Sequence, residues 1–341
     1  MKLTLQLAER SYDIVLKRGS LANAGSLANL RRRVLVVTDS GVPPAYAKTV
    51  AAQCGEGSVF ALPPGEATKS ADNWQAILRR MMELSFTRGD AVAAVGGGVT
   101  GDLAGFAAAT YMRGVDFFQF PTTTLSQIDS SIGGKTAINM DHTKNIVGAF
   151  HQPRLVIVDP DTLATLPRRH FVNGLAEALK SALIGDADLF AIFEQGDPDA
   201  DIERILAHCL LYKKNLVERD ETEQGERKVL NFGHTIGHGI EAACGLSADG
   251  SGLLHGECVA LGMLPMIENK TLRRKVRDIC DGLGLPAACP ASPQEILPYI
   301  AHDKKRSGDT ITVVKVKKPG EAYLEQVTLD EIQLLLENLP N

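Results

Sequence analysis

Hydrophobic positions along the first half of the chain fall into short unbroken runs, each followed by an amphipathic stretch. Arg33-Val34-Leu35-Val36-Val37-Thr38-Asp39 is apolar on both faces until its polar end, the pattern of a parallel strand covered on two sides. A helix around Tyr46 to Gln53 follows, and the rhythm repeats: strand Ser58 to Leu62, helix Asp72 to Leu84, strand Ala91 to Val95, helix Leu103 to Thr110, strand Asp116 to Phe120. Residues 1 to 17 alternate as two short strands around Glu9-Arg10-Ser11, and Leu155 to Val158 is the last strand of this half. Such alternation predicts a parallel sheet covered by helices, with ligands bound beyond the carboxyl ends of the strands. After Asp159-Pro160 the period lengthens to that of helices. Asn173 is placed to cap a helix through Leu183, and further helices are predicted for Ile202 to Val217, Cys258 to Ile267, Leu272 to Leu283, Ser292 to Ala301 and Glu331 to Asn338, with one strand at Thr310 to Val316. The pattern predicts an α/β domain over 1–159 and a mainly α-helical domain over 160–341.

Composition narrows the function more than the fold. A chain of 341 residues, 44% apolar and 23% charged, has the size for two globular domains with real cores. Thirty-six basic against 41 acidic residues leave a net charge of −5, which argues against a broad nucleic-acid-binding face but permits a small anionic ligand. The six cysteines show no CxxC spacing and read as reduced thiols. Met1 to Leu7 alternates like a strand and lacks the apolar core of a signal peptide, and no run reaches the roughly 20 apolar residues of a membrane span. A cytoplasmic protein without membrane or nucleic-acid partners is expected.

Candidate chemistry gathers at the ends of the predicted elements. Gly96, Gly98 and Gly101 satisfy GxGxxG between a strand and a helix, where backbone N–H groups and the helix dipole suit a pyrophosphate; by itself the motif is equally compatible with a tight structural turn. Asp129, Ser130, Ser131, Gly133, Gly134, Lys135, Thr136, Asn139, Lys144 and Asn145 form a dense polar run suited to phosphate recognition, and the intervening Ile128, Ile132, Ala137, Ile138 and Ile146 mark it as a packed loop. Glu177 and Lys180, three apart, read as a surface ion pair worth a few tenths of a kcal/mol unless a further partner appears. In Asn231-Phe232-Gly233-His234-Thr235-Ile236-Gly237-His238-Gly239-Ile240-Glu241, Asn231 stands where a cap would, and His234, His238 and Glu241 share one helical face. Two imidazoles on one stripe suit a divalent metal, and His255-Gly256-Glu257 and Arg227 supply company.

Taken together, these segments resemble the 3-dehydroquinate synthases, sugar phosphate cyclases of the shikimate pathway. The matching pieces are Pro63 to Ser70, Gly96 to Phe106, Tyr111 to Gly114, Pro121 to Thr123, Asp129 to Asn139, Lys144-Asn145, Gly174 to Lys180, Leu230 to His238 and His255 to Glu257. They occur in the family's order over nearly the whole chain. The resemblance implies a Rossmann-like N-terminal α/β domain binding NAD, a mainly α-helical C-terminal domain holding a divalent metal (zinc or cobalt), and a homodimer. It implies conversion of 3-deoxy-D-arabino-heptulosonate 7-phosphate to 3-dehydroquinate and phosphate. The C5 hydroxyl is oxidised, phosphate leaves, the ketone is reduced back and the opened ring closes by an aldol step, so NAD is not consumed. The departing phosphate serves as the base in that scheme.

By the same resemblance Glu177, His234 and His255 are the metal ligands, although helical spacing alone pairs His234 with His238. A carboxylate and two imidazoles leave positions open for substrate oxygens, and a cation beside a hydroxyl makes its proton easier to remove near neutral pH. Lys135, Asn145, His238 and a lysine of the Asp303-Lys304-Lys305 turn, Lys304 foremost, are implied to hold the phosphate, with Arg113 entering from a second subunit. Lys213 and Arg227 would take the substrate carboxylate, and Asp129, Lys180 and Asn231 the ring hydroxyls. Glu66, Lys69, Gly97, Gly98, Asp102, Thr122, Thr123, Lys135, Lys144 and Thr165 would line the NAD site. The chain departs from the pattern in an insertion around Ser247 to Gly252, a shortened helical region after Met263, and Cys258 where a small apolar residue is usual. Rival readings are a cyclase making an inosose or a valiolone, a metal-dependent polyol dehydrogenase releasing NADH, and an inactive NAD-binding scaffold. A substrate without a carboxylate has no use for Lys213 and Arg227, and a polyol dehydrogenase none for the phosphate cluster.

Overall fold

The computed structural model of the chain describes residues 1–141, 143–245, 252–301, 306–307 and 310–340. Contacts divide it into two compact units: Met1–Pro167 with Lys213–Thr222, and Arg168–Tyr212 with Glu223–Asn341.

The first unit is built on strands β1 (Lys2–Leu5), β2 (Tyr12–Leu16), β3 (Arg33–Asp39), β4 (Glu56–Leu62), β5 (Ala91–Gly96), β6 (Asp116–Pro121) and β9 (Leu155–Val158), with a separate hairpin of β7 (Lys135–Met140) and β8 (Thr143–Phe150). Its sheet runs β1-β2-β9-β6-β5-β3-β4, with β1 antiparallel to β2 and every other pair parallel. Helices α1 (Ala24–Leu27), α2 (Pro44–Ala51), α3 (Ala71–Glu83) and α4 (Gly98–Thr110) belong to the same unit. Alternate side chains of β3 enter different cores: Leu35 and Val37 pack with Ile77, Met81, Leu103 and Phe117, whereas Val34 and Val36 pack with Val50, Phe118 and Phe120. Burial on both faces is why this strand carries no polar alternation. Chain order reverses between β3 and β5, which places the β5–α4 turn at the sheet's switch point, the usual ligand edge of such a sheet.

The polar run after Phe120 differs from its predicted loop. Ser126–Ser130 forms a π-helical turn, and Lys135 pairs with Phe150 and Ile138 with Val147 across the β7–β8 hairpin. Ile138 is buried in the core shared with α4. The strands escape a sequence reading because β8 leaves its residues exposed or half-exposed and carries Lys144 and Asn145 among its apolar positions.

The second unit contains α5 (Arg168–Gly185), α6 (Ala187–Gln195), the first part of α7 (Ile202–Arg219), α8 (His234–Cys244), α9 (His255–Met263), α10 (Lys270–Leu283), α11 (Pro293–Ala301) and α12 (Leu329–Leu336). A small antiparallel sheet of β10 (Arg306–Ser307), β11 (Thr310–Lys318) and β12 (Glu321–Thr328) joins them. Helices α8 and α9 meet backbone to backbone: a Cβ on Gly262 would lie 2.3 Å from the Gly233 carbonyl oxygen and 2.7 Å from the Gly237 nitrogen. Only glycine allows that approach.

Two sequence expectations are corrected. Asn173 does not cap its helix, because α5 already begins at Arg168. Asn231 is not the cap of α8. It ends a 3-10 segment from Glu226, and the helix instead starts after Gly233, whose φ of 76° makes a left-handed corner. Contacts keep the segment from Asp159-Pro160 to Pro167 with the first unit. The Asp159 carboxylate accepts the Gly19 and Leu21 N–H groups at 3.0 and 2.9 Å, and the Gln127 amide donates to Asp159 O and Thr162 Oγ1, so the short helical turn at Pro160–Thr165 stays with the first unit.

Candidate functional site

In the second unit, α5, α8 and α9 each deliver one side chain to a common point. Glu177 Oε1 lies 3.8 Å from His234 Nε2 and 3.5 Å from His255 Nε2. Donor atoms bound at about 2.0–2.1 Å around a tetrahedral ion stand about 3.3–3.4 Å apart, so these separations are close to those of a ligand set. The His234 Nδ1 faces the Phe232 carbonyl oxygen at 3.0 Å, and His255 Nδ1 faces Glu241 Oε2 at 3.5 Å. Each outer nitrogen therefore has an acceptor for its proton, which turns the Nε2 lone pair inward. His238, one turn beyond His234, is exposed. Its ring centroid stands 5.2 Å from that of His234 and 5.7 Å from that of His255, and the three histidines can bring donor atoms within 4.8 Å of one another.

The carboxylate at the centre is 1% exposed, and neither of its oxygens has a well-formed hydrogen bond. What it has is charge. The Lys180 ammonium, 2% exposed, stands 2.5 Å from Oε2. The Glu177–Lys180 pair is thus buried, not the surface pair that its spacing suggests in isolation. Burial pushes the Glu177 carboxyl up, but Lys180 and His255 outweigh it and bring it down to about 2. Burial pushes His255 down, and its contacts with Glu177 and Glu241 outweigh that and raise it to about 10. The cluster demands positive charge, which a proton on His255 or a divalent cation can supply.

In the same unit, Glu223 links two predicted substrate residues. Its Oε1 accepts from Asn231 Nδ2 at 2.9 Å, and its Oε2 stands 3.7 Å from Nε of the buried Arg227.

The first unit carries a second polar network. The β5–α4 turn has Gly97 as cap, with no side chain bonded to the first-turn N–H groups. Lys69, 4% exposed, donates to Asp102 Oδ2 at 2.7 Å and to Asn145 Oδ1. Glu66 Oε1 stands 3.9 Å from the same ammonium and accepts from Asn139 Nδ2 at 2.8 Å. Asn139 in turn receives the Asn145 N–H at 2.9 Å and donates its own N–H to the Lys69 carbonyl at 2.8 Å. Burial raises the Asp102 carboxyl, and Lys69 offsets only part of the shift. Thr122 donates its N–H to the Gly96 carbonyl at 2.9 Å, and Thr123 shares its hydroxyl with Ser126 at 2.8 Å. Gly98 opens α4, half-buried Lys144 lies on β8, and Thr165 meets the Tyr46 hydroxyl at 2.9 Å. Lys213 donates to both the side chain and the carbonyl of Asp129, each at 2.6 Å. Lys135 is exposed at the start of β7, and Arg113 is exposed in a left-handed turn, φ 68°, after α4. Lys304, Lys305 and most of the Ser247 to Gly252 insertion lie outside the described residues. Cys258 is fully buried on α9, as a small core filler would be.

Two family models together match most of the chain. The family model described as 3-dehydroquinate synthase N-terminal matches residues 59–173, and the one described as 3-dehydroquinate synthase C-terminal matches 174–306. The chain belongs to the 3-dehydroquinate synthase family. A 3-dehydroquinate synthase of Streptococcus suis is 41% identical over 97% of this chain and 98% of that one, and one of Streptococcus sanguinis is 40% identical over 98% and 99%. Among solved structures, a 2-deoxy-scyllo-inosose synthase complexed with carbaglucose-6-phosphate, NAD+ and Co2+ superposes with TM-score 0.87 at 25% identity, over 99% of this chain and 100% of that one. The 2-epi-5-epi-valiolone synthase of Streptomyces hygroscopicus, with NAD+ and Zn2+ bound, gives 0.86 at 29% identity over 97% of both chains.

The sequence reading assigned no role to Glu223, Glu241, Glu257 or Asn139, each of which contacts a predicted site residue or its neighbours. Glu241 had a signal in its place on the His234–His238 stripe, Asn139 in the polar run and Glu257 beside His255, whereas nothing singled out Glu223.

Proposed function

We propose that the chain is an NAD- and metal-dependent carbon–oxygen lyase that converts 3-deoxy-D-arabino-heptulosonate 7-phosphate to 3-dehydroquinate and phosphate. The observation that carries the metal part is the buried Glu177 carboxylate, with oxygens lacking a well-formed hydrogen bond and two inward-turned imidazoles 3.5 and 3.8 Å away. Glu177, His234 and His255 fit zinc or cobalt, having one hard and two borderline donors. A divalent ion held there supplies Lewis acidity toward a substrate hydroxyl. His238, exposed beside the ligands, is available to hydrogen-bond a phosphate oxygen.

The uncapped first turn of α4 fits the NAD pyrophosphate, because its N–H groups and dipole favour an anion. Lys69, braced by Asp102 and Asn145, adds a desolvated cation beside Glu66. Arg227 offers a guanidinium for a carboxylate, Lys213 an ammonium held by Asp129, and Lys180 and Asn231 donors for ring hydroxyls. The presence of both Lys213 and Arg227, which the family resemblance implies for a substrate carboxylate, favours dehydroquinate synthesis over the inosose and valiolone cyclases. Lys135 with Lys144 and Asn145 favours a phosphate substrate over a simple polyol.

Arg113, exposed in its left-handed turn, supports a homodimer in which it enters the partner's phosphate site. Six cysteines that form no disulfide support a reducing, cytoplasmic setting. Light scattering at working concentration should give twice the 36.6 kDa chain mass, and a monomer overturns the dimer. The test of function is phosphate release. Protein supplied with NAD, Co2+ and the heptulosonate phosphate should release inorganic phosphate without accumulating NADH. Net NADH, or no phosphate, overturns the proposal.

A further inference from the structure

Arg169, Asn173 and Glu177 follow one another at four-residue steps along α5 and so share one side of it. All three reach toward the first turn of α9, the turn that carries His255. Arg169 Nε and Nη2 donate to Glu257 Oε1 and Oε2, each at 2.7 Å, and Nη2 also donates to the Gly252 carbonyl at 2.6 Å. Asn173 Oδ1 accepts the Gly256 N–H at 2.7 Å, and Glu177 Oε1 faces His255 Nε2 at 3.5 Å.

The start of α9 needs this outside help. Its first helical residue is His255, and the residue before it, Leu254, has no side-chain acceptor for the open N–H groups of the first turn. Asn173 provides the cap from another helix. Glu257, 5% exposed, accepts the Leu254 N–H at 2.7 Å and would be a buried unpaired anion without Arg169. Gly256 fixes how near the helices come, since a Cβ there would lie 2.0 Å from the Asn173 carbonyl oxygen. A ligand on a fraying first turn is poorly placed, and useful sites need their donors held within about 0.5 Å.

We infer that Arg169, Asn173 and Glu257 are positioning residues for His255: they lock the height and rotation of α9 against α5, so that the imidazole and Glu177 address the same point. This rests on the metal reading given above. The planar guanidinium, using two nitrogens on one carboxylate and a third contact on the chain before α9, sets an orientation that a point charge cannot.

The test uses metal-depleted full-length protein, titrated with Co2+ and followed by its visible absorption. Arg169→Leu should weaken Co2+ binding by about 10- to 100-fold and change the absorption bands, and, because it leaves Glu257 buried without its partner, it should also lower the melting temperature of the metal-free protein. Arg169→Lys should recover only part of the affinity. If Arg169→Leu does not fold, Asn173→Ser carries the same expectation. Wild-type affinity and spectrum in the folded variant overturn the inference alone, provided that wild type binds Co2+ and Glu177→Gln does not. Wild type that binds no Co2+ overturns the metal reading and this inference together.

Discussion

Lys69 shows how much a single side chain can hold. Its ammonium is nearly buried and is shared between Asp102, Asn145 and Glu66, which come from a helix, a hairpin and a short turn. Lys69→Met removes the cation that offsets the burial of Asp102. It should cost about 1–3 kcal/mol in urea unfolding and weaken NAD binding at least tenfold. Unchanged NAD affinity would remove Lys69 from the cofactor site. Asp116 makes a prediction about pH. Burial pushes its carboxyl up, but bonds from Arg154 and Arg32, both 2.6 Å, outweigh that and hold it below the ordinary range. A carboxyl lowered in the fold contributes stability above its unfolded value of about 3.9 and loses it as pH falls through the folded value. Asp116→Asn should therefore be less stable than wild type near neutral pH, with the gap closing below about pH 4. A gap that does not change with pH would show that the charge is not what stabilises. At this scale the sequence revealed residue types well and partners poorly. Glu177 and Lys180 were visible as a spacing, but that the pair is buried depends on α8 and α9, more than fifty residues further along.

Elements were legible where burial is uniform. The central strands are buried on both faces, so their apolar runs stand out, and the predicted and observed limits of β3, β6 and β9 differ by at most one residue. The β7–β8 hairpin and β12 were not legible, because half-exposed strands with polar and charged positions look like loops. The starts of α5 and α8 were misread for a related reason: an asparagine near a predicted start suggests a cap, yet Asn173 serves α9 and Asn231 serves Glu223. The α8–α9 contact gives the prediction for this scale. Gly262→Ala places a methyl group against the Gly233 carbonyl oxygen and should separate the helices that carry His234 and His255. A loss of about 1–3 kcal/mol is expected, together with weaker Co2+ binding. Normal metal binding in a destabilised variant would mean that the close packing serves stability alone.

At the scale of the molecule, each unit carries one half of the proposed chemistry. Hydrogen exchange can separate them. Co2+ alone should slow exchange in α5, α8 and α9, and NAD alone in the β5–α4 turn and around Lys69. Protection by Co2+ confined to the sheet unit would refute the assignment. Among the described residues no helix is long and apolar enough to cross a membrane. The family pattern was readable because its motifs keep their order through the whole chain, whereas the course of the chain between units was not. Lys213–Thr222 returns to the first unit after the second has begun, along the later part of α7. On the ribosome this return imposes a delay. The sheet can form early, but Lys213, the partner of Asp129, is still unmade when Pro167 emerges, and at about 5–20 residues per second the wait for it is on the order of a few seconds. A fragment ending at Pro167 would carry that unfinished state permanently.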